Sequence, residues 1–322
     1  MVLMIEQIKQ AHSRLLGQAN KTPVLSSRTL NQYLGAEVFF KCENFQRIGA
    51  FKFRGAYNCI SQLSQAEKDK GIIAFSSGNH AQAVAMVGKM FNIKTTIIMP
   101  NNAPEIKLKA TQGYGAEVII FDPQTQIREE ITAELQKKHG YTLIAPFDNY
   151  HVIAGQATAA VELCEEITGL NKLLVPCGGG GLLSGSAIAA KSINPECEIV
   201  GIEPKLADDA FQSFYSGKII SKPNPNTIAD GTRTTSLGKL TFPLIQEYVD
   251  AFKVVTEQSI IDAVKFHLMR MKIVVEPSGA LGLAALLSSQ VMPKGKIGVI
   301  ISGGNIDPQT MSKILREGNE II

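Results

Sequence analysis

The chain has 322 residues, about two ordinary domains at roughly 150 residues each. Its residues are 45% hydrophobic and 19% charged, enough apolar material for packed cores and too much for wholesale disorder. With 32 Lys and Arg against 29 Asp and Glu the net charge is +3, which argues against a nucleic-acid or membrane-surface binder steered by charge.

At the N-terminus, Glu6 and Lys9 interrupt the apolar stretch a secretory leader needs. The longest apolar segments, such as Gly279 to Leu287, fall short of the roughly 20 residues of a membrane span. Cys42, Cys59, Cys164, Cys177 and Cys197 are scattered and form no C-x-x-C pair, so neither a disulfide framework nor a zinc ribbon is expected. A cytoplasmic location fits best.

Gly71 to Phe75 reads as a buried strand, Ser76-Ser77-Gly78-Asn79-His80 as a polar turn, the following AQAVAMVGKMF as a helix and Lys94 to Met99 as a second strand. After the stretch from Pro104 to Gly115, Glu117 to Phe121 is another strand and Arg128 to His139 a polar-faced helix. Gln156 to Thr168 carries an apolar helical face and stops at Gly169. Lys172 to Pro176, Glu198 to Ile202 and Ile297 to Ile301 are strands, with a small-residue helix over Leu182 to Ser192. Strands alternating with helices predict an α/β fold of two domains. Each is a twisted, mostly parallel sheet with helices on both faces, and the site lies in the cleft between them. The expected division is 1–69 with 149–322 as the large domain and 70–148 as the small one. Lys218 to Thr235, rich in Pro, Asn and Thr, is expected to loop over the cleft.

Gly178, Gly179, Gly180 and Gly181 follow an apolar strand and precede a helix. Four glycines carry a high entropic cost, and their bare N–H groups at a helix start form a cradle for phosphate. The spacing matches neither the dinucleotide fingerprint nor a P-loop. Lys52 lies between Phe51 and Phe53, where desolvation would lower its pKa and free a nucleophilic amine; the plain alternative is a surface lysine lying along a ring. Glu203 and Asp209 around Ala207 suit a hard divalent cation or make an ordinary acidic loop. His12, His139, His151 and His267 have no ligand-like spacing.

A lysine able to form a Schiff base, a phosphate loop and a polar turn at a strand end are what a pyridoxal phosphate (PLP) site needs. GAFKFRGA, SSGNHAQA, VIAGQAT, PCGGGGLLSG and SGGNID, in this order, resemble the serine racemase and threonine dehydratase family of PLP enzymes. The resemblance implies that Lys52 binds the cofactor and removes the Cα proton. Phe51 would pack on the ring, Gly178 to Gly181 would hold the phosphate, Asn79 the 3′ oxygen, and Ser302 would face the ring nitrogen. Ser76, Ser77, Asn79 and His80 would receive the substrate carboxylate, with Arg128 either a second contact or a solvated helix arginine. Ser77 would be the acid on the opposite face if the enzyme racemises, or a carboxylate-binding hydroxyl or helix cap. Glu203, the Ala207 carbonyl and Asp209 match the family's site for Mg²⁺, Ca²⁺ or Mn²⁺.

The function so implied is L-threonine/L-serine ammonia-lyase, because Pro146-Phe147-Asp148 resembles the dehydratase version of its loop. Serine racemase and threo-3-hydroxyaspartate dehydratase are the alternatives. No regulatory domain is expected after Ser302. The partners implied are a small amino acid and a second copy of the chain, and the family pattern is compatible with a nucleotide effector. A catalytically silent sensor of a phosphorylated ligand is the reading from another class, and intact Lys52, Ser77 and Ser302 count against it.

Overall fold

A computed structural model describes residues 5–317 except 104 and 224. Its strands are β1 (Val24–Leu25), β2 (Glu37–Cys42), β3 (Ile72–Phe75), β4 (Thr95–Pro100), β5 (Glu117–Phe121), β6 (Thr142–Leu143), β7 (Lys172–Pro176), β8 (Glu198–Pro204), β9 (Ala251–Val255) and β10 (Lys296–Ile301). Among the described residues they form a six-stranded sheet, β1-β2-β10-β7-β8-β9, and a four-stranded sheet, β5-β4-β3-β6. All pairings are parallel except β1 with β2.

Alternation along the strands sends side chains into a core on each face. In β10, Ile300 joins the helices Ile5–Leu15, Tyr150–Glu166 and Gly181–Ile193 on one side. Ile297, Val299 and Ile301 join Glu257–Phe266 and Leu281–Leu287 on the other. The smaller sheet is covered by Lys52–Ser61 and Asn79–Met90 on one face and by Arg128–His139 on the other. Helix Lys52–Ser61 therefore shares a core with the small sheet through Phe53, Ala56 and Ile60, although it precedes that sheet in sequence.

Several elements differ from the sequence reading for local reasons. The helix expected from Gln156 begins at Tyr150, because the Asn149 side chain accepts the N–H groups of His151 and Val152 and caps it there. The helix expected after the turn at 76–80 begins at Asn79, so Asn79 and His80 sit in its first turn. Strand β2 carries Lys41 in its apolar run; this lysine is fully buried, with Glu162 as its ion-pair partner.

The carboxyl ends of β3, β7 and β10 run into Ser76, the glycine segment and Ser302, and all three border one cavity. Ligands in open α/β sheets bind at such strand ends. Residues 230–235, the end of the expected cleft loop, form part of its wall.

Candidate active site

The cavity is about 560 Å³, and every residue expected around the cofactor and substrate, from Phe51 and Lys52 to Ser302, lies on its wall. Lys52 begins the helix Lys52–Ser61. Its Nζ lies 5.1 Å from the Phe51 ring centroid and donates to the Pro146 carbonyl at 2.7 Å. Burial without an acidic partner pushes its pKa down to about 7. The segment before it is pinned to the end of β10: Phe51 N–H donates to Ser302 O at 3.0 Å, Ala50 bridges Gly303, and Gly304 N–H donates to Gly49 O at 2.9 Å.

Gly178 to Gly181 bend into the helix Gly181–Ile193, with Gly180 at φ +92° as its N-cap. The bend is too crowded for side chains. A Cβ on Gly179 would fall 2.3 Å from the Phe147 ring, and one on Gly181 would fall 2.5 Å from Gln156 Oε1.

Across the cavity, Gly78 N–H donates to Ser76 Oγ at 3.2 Å, and Asn79 opens the helix behind the turn. Asn79 is held from both sides, donating to Glu276 Oε1 at 2.7 Å and accepting from Asn305 Nδ2 at 2.9 Å. His80 Nε2–H donates to Ile144 O at 2.8 Å. Burial, reinforced by the nearby Lys52 amine, lowers the His80 pKa to about 3, so the ring is neutral and Nδ1 is a buried acceptor without a partner. Arg128 sits at the rim, with its Nε on Glu129 at 2.8 Å and its guanidinium 4.7 Å from the Phe75 centroid.

The sequence matches the family described as pyridoxal-phosphate dependent enzyme over residues 15–303. The chain belongs to this family. Among similar proteins, the L-threo-3-hydroxyaspartate ammonia-lyase of Saccharomyces cerevisiae is 50% identical over 309 residues, 96% of this chain and 95% of that one. The serine racemase of Schizosaccharomyces pombe is 50% identical over 313 residues, 97% of each. The structure of maize serine racemase superposes with a TM-score of 0.93 at 42% identity, covering 98% of both chains. The ammonia-lyase and the racemase named first share the same 50% identity with this chain.

The residues present fit PLP. The bare glycine bend and helix start suit a phosphate. Beside it, the buried hydroxyl Thr234 Oγ1, able to donate, has no hydrogen-bond partner among the described residues and would lie 3.4 Å from a Cβ on Gly178. The amine of Lys52 is free to react with an aldehyde.

Three further groups on the wall of this PLP-dependent enzyme escaped the sequence reading. Glu276 is buried, its Oε2 lacks a partner, and burial raises its pKa despite nearby Lys107. Lys107 and Asp230 form an ion pair across the cavity. The only sequence signal for Glu276 is one acid inside Ile273-Val274-Val275-Glu276-Pro277; Lys107 sits among Glu105 and Lys109 and gives none.

Glu203, Ala207 and Asp209 lie away from the cavity at the end of β8, all fully buried. Glu203 accepts from Phe211 N–H at 2.7 Å, while neither carboxylate oxygen of Asp209 has a partner. Burial raises both carboxyl pKa values; the Asp209 charge adds to the rise at Glu203, and the Asp208 charge to that at Asp209. Glu203 spends both oxygens on the N–H groups of Ala210 and Phe211, so the unused oxygens that fit a cation are those of Asp209, and among the described residues no group of three or more His, Cys, Asp or Glu side chains gathers.

Proposed function

We propose that this PLP-dependent enzyme is an ammonia-lyase that converts L-threonine or L-serine to a 2-keto acid and ammonia. Water leaves across Cα–Cβ, and one water is consumed when the nitrogen is released. The observation that carries this reading is the Lys52 amine on the cavity wall, its charge disfavoured by burial and its hydrogen-bond partner among the described residues a backbone carbonyl. When bound, the cofactor supplies an electron sink that acidifies the substrate's Cα–H.

Lys52 Nζ would hold the cofactor, and its amine, kept neutral by burial, would take the Cα proton. Gly178, Gly179, Gly180 and Gly181 bind the phosphate through their N–H groups, with the Thr234 hydroxyl as a further donor. Phe51, Asn79 and Ser302 line the same cavity and would respectively pack on the cofactor's ring, donate to its 3′ oxygen and meet its ring nitrogen. Ser76, Ser77, Asn79 and His80 receive the carboxylate at the helix start, and Arg128 adds a second charge when it leaves Glu129. Glu203, the Ala207 carbonyl and Asp209 would supply oxygen ligands to a divalent cation such as Mg²⁺. The division into two domains, 1–69 with 149–322 and 70–148, is supported by the two separate sheets, although helix Lys52–Ser61 packs on the small one. Five cysteines, all free and buried, support a reducing, cytoplasmic setting.

Racemisation of serine is the second reading, favoured by Ser77 lining the same cavity as Lys52. The test incubates the enzyme separately with L-threonine, L-serine and threo-3-hydroxyaspartate, with and without Mg²⁺, and scores keto acid and D-isomer together. Keto acid from threonine or serine as the main product is expected. D-serine forming faster than pyruvate would reverse the order of the two readings, and turnover confined to hydroxyaspartate would move the substrate to the dicarboxylic acid.

A further inference from the structure

Two residues beyond Lys52, Arg54 points away from the cavity and is fully buried. Its guanidinium makes two double contacts. Nε and Nη2 reach Glu43 Oε2 and Oε1 at 2.7 and 2.8 Å, and Nη1 and Nη2 reach Glu162 Oε1 and Oε2 at 2.7 and 2.9 Å. Nη1 also donates to Thr158 Oγ1 at 3.1 Å. Lys41 Nζ closes the cluster on Glu162 Oε2 at 2.6 Å and Thr22 O at 2.7 Å, while Thr22 Oγ1 donates to Glu43 Oε1 at 2.6 Å. Two cations thus meet two anions in the interior. Burial alone would weaken the Arg54 charge, but Glu43 and Glu162 more than offset it and hold its pKa above the usual value.

Apolar side chains of similar volume would hold the same elements together at least as well, because burying four charges costs desolvation. What the forked contacts add is direction, since a planar guanidinium engages two carboxylates in one orientation. The elements so fixed are the end of β2 and its following turn, helix Lys52–Ser61 and helix Tyr150–Glu166. The two helices also touch backbone to backbone: a Cβ on Gly155 would lie 2.4 Å from Arg54 O and 2.8 Å from Gly55 Cα. Lys52 starts the first helix. Its acceptor, Pro146 O, lies in the lead-in to the second, whose Gln156 Nε2 also approaches that oxygen at 3.3 Å. Both ends of the Lys52–Pro146 contact therefore depend on how these two helices are set against each other.

We infer that Arg54 is a positioning residue for the reaction, locking the lysine-bearing helix onto helix Tyr150–Glu166 through Glu162 and Thr158 so that the Lys52 amine stands at one fixed place on the cavity wall. This deepens the proposed function and rests on its assignment of Lys52. The cluster carries no net charge, so its influence on the amine is geometric. The titratable neighbour of Lys52 is His80, which stays neutral.

The test compares holoenzyme of the wild type with Arg54→Lys, which keeps the cation and loses the fork, following the visible absorption of the lysine-bound cofactor against pH together with kcat and KM. A displaced pH midpoint is expected, with kcat about tenfold to a hundredfold lower and KM nearly unchanged, as for a misplaced reacting group. A folded Arg54→Lys protein with wild-type midpoint and kcat overturns the inference. If that variant does not fold, Glu162→Gln, which removes one carboxylate charge while keeping its shape, is read in the same way, and an unchanged midpoint there overturns it equally. Lys52→Ala separates the two claims. A cofactor band that survives it removes Lys52 itself and the positioning role with it, whereas loss of the band together with a wild-type Arg54→Lys profile removes the positioning role alone.

Discussion

At the scale of single residues, Lys52 is defined by what surrounds it. It shares the cavity with Lys107, but Lys107 is engaged by the Asp230 carboxylate whereas Lys52 meets a carbonyl, a ring and a neutral His80. Lys52→Ala should abolish the visible band of bound cofactor and lower kcat/KM by about 10²–10⁴-fold or more; a retained band would reassign the amine. The lowered pKa also has a consequence for stability. Between about 7 and the ordinary 10.5, the folded chain leaves this amine unprotonated while the unfolded chain protonates it, so its contribution to stability rises with pH across that window. Below 7 the full cost of a buried ammonium remains. Cofactor-free protein should therefore gain thermal stability on raising the pH from 7 toward 10, more steeply than Lys52→Met under the same conditions. Equal slopes would contradict the burial argument. The Asp209 oxygens offer a separate measurement: Mg²⁺ at a hundredfold excess over its Kd should stabilise the protein by about 2.7 kcal/mol, and Asp209→Asn should remove that gain. Lys52 could be singled out in the sequence because its flanking phenylalanines are adjacent. Glu276 could not, since its partner Asn79 lies 197 residues away and nothing local marks the contact.

At the scale of elements, the glycine bend and the Pro146–Asp148 segment form one unit. Phe147 lies over Gly179, Pro146 O receives Lys52, and Asp148 accepts the N–H groups of Leu240 at 2.7 Å and Lys239 at 3.1 Å. A methyl group on Gly179 would push Phe147 aside and move the acceptor next to it in sequence. Gly179→Ala should weaken cofactor retention on dialysis by about tenfold or more and cost about 1–3 kcal/mol of stability from overpacking. Unchanged retention would mean that the bend does not hold the phosphate. Strands β5 and β7 and the helix Arg128–His139 match the sequence reading residue for residue, because the period and the punctuating glycines are local. Strand β2 escaped it because Lys41 looks like a solvent-facing break until Glu162, 121 residues away, is folded against it. The early start of helix Tyr150–Glu166 was hidden similarly, since Asn149 acts as a cap only through the N–H groups it accepts.

At the scale of the whole molecule, the cavity wall is built from both sheets, and the Lys107–Asp230 pair ties them across it. Lys107 belongs to helix Glu105–Gly113 beside the small sheet, and Asp230 to a short turn on the large-sheet side. The lysine also lies beside the turn at Ser76–His80, since a Cβ on Gly78 would be 3.4 Å from its Nζ. Removing the ammonium would leave Asp230 near the buried Glu276 carboxyl, whose Oε2 has no partner among the described residues, and free the turn assigned to the substrate carboxylate. Both effects fall on amino-acid binding, while the Lys52–Pro146 contact and the glycine bend stay as they are. Lys107→Met should therefore raise KM by about tenfold, with a smaller change in kcat and with cofactor absorption intact. The double variant with Asp230→Asn should cost less than the two single losses combined, because the pair acts as one unit. A kcat loss at unchanged KM would place Lys107 in the chemical step instead. Strict additivity in the double variant would show that the two sides of the cavity are not coupled through this contact.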